Sequence, residues 1–80
     1  MFAKLYETSE GQILVKRGTN PDGDPAVNIC FEVEGVVRCE TLFAFEDNDK
    51  ADKCFESMNE PKALDMVRLI KQHNKEKEQQ

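Results

Sequence analysis

Tryptophan is absent from this 80-residue chain, and tyrosine and histidine each occur once. The single histidine, His73, has no candidate nucleophile near it. No Ser/His/Asp or Cys/His set is therefore evident for covalent catalysis. Near the polar end of the chain, His73 reads as a helix-terminal cation or a surface residue. Glycine is scarce, four in all, and no Gly-rich loop leads from a strand into a helix to cradle phosphate. No apolar run approaches the ~20 residues of a membrane span. The opening MFAKLYE carries no apolar stretch of the secretory kind, which predicts a cytoplasmic protein. Basic residues are outnumbered, 11 against 16 acids, for a net charge of −5. Phosphate-backbone binding runs on Lys and Arg, so direct nucleic-acid binding is not expected. A protein partner, basic because it normally holds nucleic acid, suits the charge. Plain solubility accounts for it as well.

Three cysteines are an odd number, and no CxxC is present. Cys30, Cys39, Cys54 and His73 are too scattered to form the clustered four-ligand set of structural zinc. No metal and no cofactor are expected. A chain this short supports one domain with a small core. Its hydrophobic share of 39% and charged share of 34% suit a folded globular chain rather than a disordered one.

What is present is alternation. FAKLYET and QILVKR flank SEG and read as a first hairpin. A Gly11 bulge there pairs Thr8 with Gln12, Glu7 with Ile13 and Leu5 with Val15. The segment from Gly18 to Pro25, GTNPDGDP, is turn chemistry; its DGD lacks the spaced oxygens of a calcium loop. AVNICFEVEGVVRCETLFAFE then alternates with period two over both arms of a second hairpin. A two-residue Glu34-Gly35 turn would pair Cys30 with Cys39, but it would set the apolar residues of the two arms on opposite faces. A three-residue Val33-Glu34-Gly35 loop with a Gly bulge pairs Phe31 with Val37, Ile29 with Cys39 and Val27 with Thr41. Both apolar sets then share a face. This predicts Cys39 in the core, Cys30 on the outer face and no disulfide.

From Asp47 the period changes. Ala51, Cys54, Phe55 and Met58 share one helical face, with Asp47, Asn48 or Asp49 as cap. Asn59 and Pro61 interrupt. Ala63, Leu64, Met66, Val67 and Ile70 form the stripe of a second helix. The expected fold is α+β: a four-stranded antiparallel sheet with two C-terminal helices packed on one face, ββββαα. Residues 1–73 form the single domain, and 74–80 a polar C-terminal tail.

The acids Glu46, Asp47, Asp49 and Asp52 could imitate DNA phosphates, although capping and a solvated first turn explain them more simply. The sheet face away from the helices is the better surface. On the expected register it carries Phe2, Lys4, Tyr6, Leu14, Lys16, Cys30, Glu32, Val36, Arg38, Glu40 and Leu42, a mixture of aromatic, aliphatic and charged groups that suits an interface. Phe2, Lys4, Tyr6, Leu14, Lys16, Glu32 and Arg38 are the expected partner-binding residues, with no catalytic set.

The order of elements, together with LYETSEGQILVK, FAFEDNDKADKCFESM and ALDMVRLIKQHNKE, resembles the small phage anti-CRISPR proteins that block the type I-F surveillance complex. The resemblance spans most of the chain. It implies a non-enzymatic inhibitor that binds a host ribonucleoprotein complex in the bacterial cytoplasm and hinders target-DNA recognition. It also implies a role for a strand tyrosine and a strand glutamate. Tyr6 matches the tyrosine; the glutamate has no counterpart, because the returning strand ends KRG. The alternative is a small homodimeric regulatory module joined through the same sheet face.

Overall fold

The computed structural model describes residues 2–78, with side chains through residue 75. Four strands, β1 (Ala3–Thr8), β2 (Gly11–Thr19), β3 (Pro25–Val33) and β4 (Val36–Ala44), precede two helices, α1 (Asn48–Ser57) and α2 (Glu60–Glu78). The strands form one open antiparallel sheet in the order β1-β2-β3-β4. This is the expected ββββαα arrangement. Residues 74–78 of the expected tail continue α2; residues 79 and 80 lie outside the described range.

The core forms where the two central strands meet the helices. Ile13 and Val15 of β2 and Val27, Ile29 and Phe31 of β3 pack with Phe55, Met58, Ala63 and Val67. A fully buried aliphatic side chain of this size contributes ~1.5–3 kcal/mol relative to exposure. β3 turns Val27, Ile29 and Phe31 to the helices and Asn28 and Glu32 to the open face, and its place mid-sheet buries Ala26 and Cys30 as well. Cys30, on the face without helices, is still only 6% exposed, flanked by its cross-strand neighbours Leu14 and Cys39.

Both helices have side-chain caps. Asp47 is extended and accepts from Lys50 N at 2.8 Å at the start of α1. Asn59 accepts from Lys62 N at 3.0 Å at the start of α2. Arg17, nearly buried, donates to Asp52 at 2.8 Å and to Asn48 at 2.7 Å, fastening β2 to α1. Glu10, in the first turn, receives Arg68 and Lys71 of α2. The hydrogen bond from Arg68, more than any other influence, holds the Glu10 carboxyl below its usual range. The GTNPDGDP segment is turn chemistry as expected: Asn20 closes it through its side chain to Asp24 N at 2.9 Å, and Gly23 takes positive φ.

Both hairpin registers differ from expectation. In the first, Thr8 pairs with Gly11, Glu7 with Gln12, Tyr6 with Ile13 and Leu5 with Leu14. One residue of slip reverses every side chain of β1. Lys4 and Tyr6 therefore face the helices, and Leu5 and Glu7 face away. The expected register would have brought the Glu7 carboxylate toward the carbonyl oxygens that end α1. The observed one brings two donors to them.

In the second hairpin, Glu34 and Gly35 form a two-residue turn, with φ of 51° and 82°. Two successive positive values match the type I′ turn, whose twist suits the flanking strands. Val33 pairs with Val36, Phe31 with Arg38 and Cys30 with Cys39. Cys30 and Cys39 are joined in a disulfide, contrary to the expected free thiols, and Cys39 lies on the open face rather than in the core. A bulge does realign the apolar sets, but at the far end of the strand. Between Asn28–Thr41 and Val27–Phe43 the register shifts and Leu42 is left without a partner. Leu42 and Phe43 then both reach the helix side. The cost is that Arg38 and Glu40, not apolar residues, occupy the helix side of β4 before the bulge. They tolerate this because β4 is an edge strand, both remain part-exposed, and they pair with each other at 3.3 Å.

Candidate functional site

Among the described residues this architecture leaves two surfaces free: the sheet face without helices, and the β4 margin. The open face is ordered by register. Leu5, Leu14, Cys30 and Cys39 are directly paired from strand to strand. They form one apolar row across all four strands. On one side lies Ala3–Lys16–Asn28–Thr41, another continuous row of pairs, in which the Thr41 hydroxyl donates to Asn28 Oδ1 at 3.0 Å. On the other side Glu7 pairs with Gln12 and Glu32 with Val37. Leu5 is 59% exposed and Val37 68%. A flat apolar centre with polar edges is the usual make-up of a protein-binding patch.

Of the seven expected partner-binding residues, the structure brings Leu14, Lys16 and Glu32 to this face. Phe2, Lys4, Tyr6 and Arg38 are on the helix side, as are Val36, Glu40 and Leu42. Lys4 Nζ donates to the carbonyl oxygens of Phe55 at 2.8 Å, Glu56 at 3.3 Å and Met58 at 3.2 Å. It also lies 4.7 Å from the centre of the Phe55 ring. The Tyr6 hydroxyl donates to Met58 O at 3.2 Å. Helix ends leave carbonyls without partners, and a cation there meets the negative end of the helix dipole. Lys4 and Tyr6 are thus the side-chain cap of α1. Burial, and secondarily Glu60, pushes the Tyr6 phenol above its ordinary value. Phe2 is exposed beside Arg17, Asp52, Phe55 and Glu56.

Two acids of the Glu46, Asp47, Asp49, Asp52 group are occupied: Asp47 caps α1 and Asp52 holds Arg17. Capping accounts for Asp47, whereas Asp52 is held by Arg17 of β2, a pairing that the capping reading did not include. Among the described residues no three His, Cys, Asp or Glu side chains gather into a metal-holding group. Cys54 is unpaired and partly buried, and burial pushes its thiol up.

The β4 margin went unseen in the sequence. α1 packs on β2 and β3, and α2 on β1, β2 and β3, so β4 extends past the helical layer. A groove of roughly 410 Å³ runs between β4 and α2, lined by Leu42, Phe43, Met66, Leu69, Ile70 and His73. Leu69 is 60% exposed and Phe43 42%. Leu69 lies off the stripe that defines the buried face of α2, and that displacement was the available signal. Asn74 borders the groove, and its Nδ2 is buried with no hydrogen-bond partner among the described residues.

Comparison of the chain with protein-family models, with curated proteins and with solved structures found no match.

Proposed function

We propose that this protein is a non-enzymatic inhibitor that acts by binding, with the open sheet face as its contact surface. The single observation that carries the reading is the row Leu5–Leu14–Cys30–Cys39, apolar, continuous across four strands and covered by no element among the described residues. Both helices and the Lys4–Tyr6 cap are spent on the other face. The resemblance of the sequence to phage anti-CRISPR proteins names the target class: a host CRISPR surveillance complex, bound in the bacterial cytoplasm so that target-DNA recognition is hindered. The net charge of −5 complements the basic surfaces with which such a complex holds nucleic acid. No helix among the described residues is long and apolar enough to cross a membrane. In a reducing cytoplasm the disulfide opens to two thiols, and the backbone ladder still holds Cys30 opposite Cys39.

The test is a pull-down from cells expressing a type I-F surveillance complex, with wild type beside Leu5→Asp. Leu5 is well exposed, so the variant folds, and circular dichroism checks this. Expected is co-purification of the complex with wild type and loss of most of it with Leu5→Asp, since charge in an apolar contact centre costs several-fold to a hundredfold in affinity. No complex subunits with wild type would overturn the target. Equal recovery with both proteins would overturn the face.

A further inference from the structure

We propose that the free edge of β4 pairs with the same edge of a second copy, antiparallel and centred on Cys39, to join the two sheets into one. This surface is separate from the open-face row assigned above to target binding.

β4 is an edge strand of nine residues without proline, lysine or glycine. Natural edges are commonly blunted by proline, lysine or shortness, and also by bulges and inward-pointing charges. β4 carries the Leu42 bulge and the charges Arg38 and Glu40, so only a partner that matches those charges before the bulge can pair with it. The opposite edge, β1, has only six residues and carries α2 over it. The backbone of β4 is also in phase for self-pairing. Val33 and Val36 flank the two-residue turn and form a hydrogen-bonded pair. By the antiparallel alternation, Cys30 and Cys39 are then a non-hydrogen-bonded pair, as their short Cα separation of 4.0 Å shows. The N–H and C=O groups of Val37, Cys39 and Thr41 therefore point away from β3, out of the sheet. A two-fold axis beside Cys39 sets Cys39 against its own copy, and Val37 against Thr41, with all of these groups paired.

The side chains are self-complementary in that register alone. Centred on Cys39, Arg38 of one copy faces Glu40 of the other, twice over. Within one chain these two already lie 3.3 Å apart on the same face, each more than a third exposed. Self-pairing turns the pair into an alternating quartet of two positive and two negative groups. Val36 meets Leu42 on the same side, and Val37 meets Thr41 on the open side, a favourable cross-strand pair of β-branched residues. Moving the centre by one residue would place Arg38 against Arg38 or Glu40 against its like neighbours. The groove between β4 and α2 leaves Phe43 and Leu69 exposed beside this strand. The disulfide ties Cys39 to Cys30, so the association is non-covalent.

The test is sedimentation velocity of the oxidised full chain from 1 to 300 µM, values chosen because a single-strand contact falls below the ~1,600 Å² of a standard interface and reaches about micromolar affinity. Wild type is expected to pass from monomer to dimer across that range. Arg38→Glu places four acids at the seam, and Glu40→Arg four bases, so each alone should weaken dimerisation at least tenfold. An equimolar mixture of the two variants should restore it, because each acid then faces a base. Val37→Pro, which removes an edge-facing N–H and no bond within the sheet, should also give a monomer. A wild-type monomer throughout the range would overturn the proposal. So would a dimer indifferent to these substitutions, which would place the contact elsewhere, or a mixture that stays monomeric.

Discussion

Lys4 and Lys16 are both even-numbered lysines of the first hairpin, and alternation alone sends them to one face. The structure separates them, and the separation can be measured. Lys4 Nζ serves three carbonyl oxygens at the end of α1 and lies over the Phe55 ring. A hydrogen bond from a charged donor contributes about 1.5–3 kcal/mol. The helix dipole adds ~0.3–1 kcal/mol, and a partly exposed cation over an aromatic ring ~0.5–1 kcal/mol. One ammonium makes all of these contacts, so they do not add. Solvent at the partly exposed bonds weakens them further. Lys4→Met, which keeps the aliphatic stem, should therefore cost about 2 kcal/mol. Unfolding entropy of ~2.1 cal/mol/K per residue makes that a fall in Tm of about 12 °C for a chain of this length. Lys16→Met, on the open face, should stay within about 0.5 kcal/mol of wild type. Urea denaturation and thermal melts read both. Equal, small losses in the two variants would refute the register and return Lys4 to the open face.

Two further outcomes follow from the same geometry. Under non-reducing conditions an alkylating reagent should label Cys54 alone. Reduction should then lower stability by about 2.5 kcal/mol, from the loop entropy of so short a closure, given the sequence separation of 9. Three labelled thiols before reduction would remove the disulfide from the account. Tyr6 is the only tyrosine, so its ionisation can be followed by ultraviolet absorbance alone. Its folded pKa is raised, so the neutral phenol is the form the fold favours. That contribution is complete below pH ~10, the ordinary value, and is lost as pH rises through the raised value. The midpoint should lie above that of free tyrosine, and Tyr6→Phe should lack the corresponding alkaline loss of stability. A midpoint at the ordinary value would contradict the burial of the phenol beside Glu60.

The order of elements was legible in the sequence because each has a local cause. Period-two alternation marks strands, Ala51–Phe55–Met58 and Ala63–Val67–Ile70 mark helical faces, and Asp47 and Asn59 mark the caps. These signals depend on near neighbours along the chain and need no knowledge of what packs across from them. The core residues Ile13, Val15, Val27, Ile29 and Phe31 follow from the same periodicity, since β2 and β3 can bury only one consistent parity against the helices.

Register was a different matter. Which parity of β1 faces inward depends on what waits there, and that is the carbonyl end of α1, some fifty residues away in the chain. Lys4 and Tyr6 can satisfy those oxygens, whereas Leu5 and Glu7 cannot. In the same way the apolar sets of β3 and β4 must be brought to one face, but a bulge at either end of the hairpin achieves it. The Glu34-Gly35 turn took the tighter geometry, and the slip moved to Leu42, where the groove beside α2 had room for Leu42 and Phe43 together. That choice alone put Cys39 opposite Cys30 and Arg38 and Glu40 at the edge. Sequence by itself therefore determined the elements, their order and the central core, which rest on local periodicity. Only tertiary packing decided the faces of the two outer strands, because a one-residue slip is locally almost neutral and its energy is settled by distant partners.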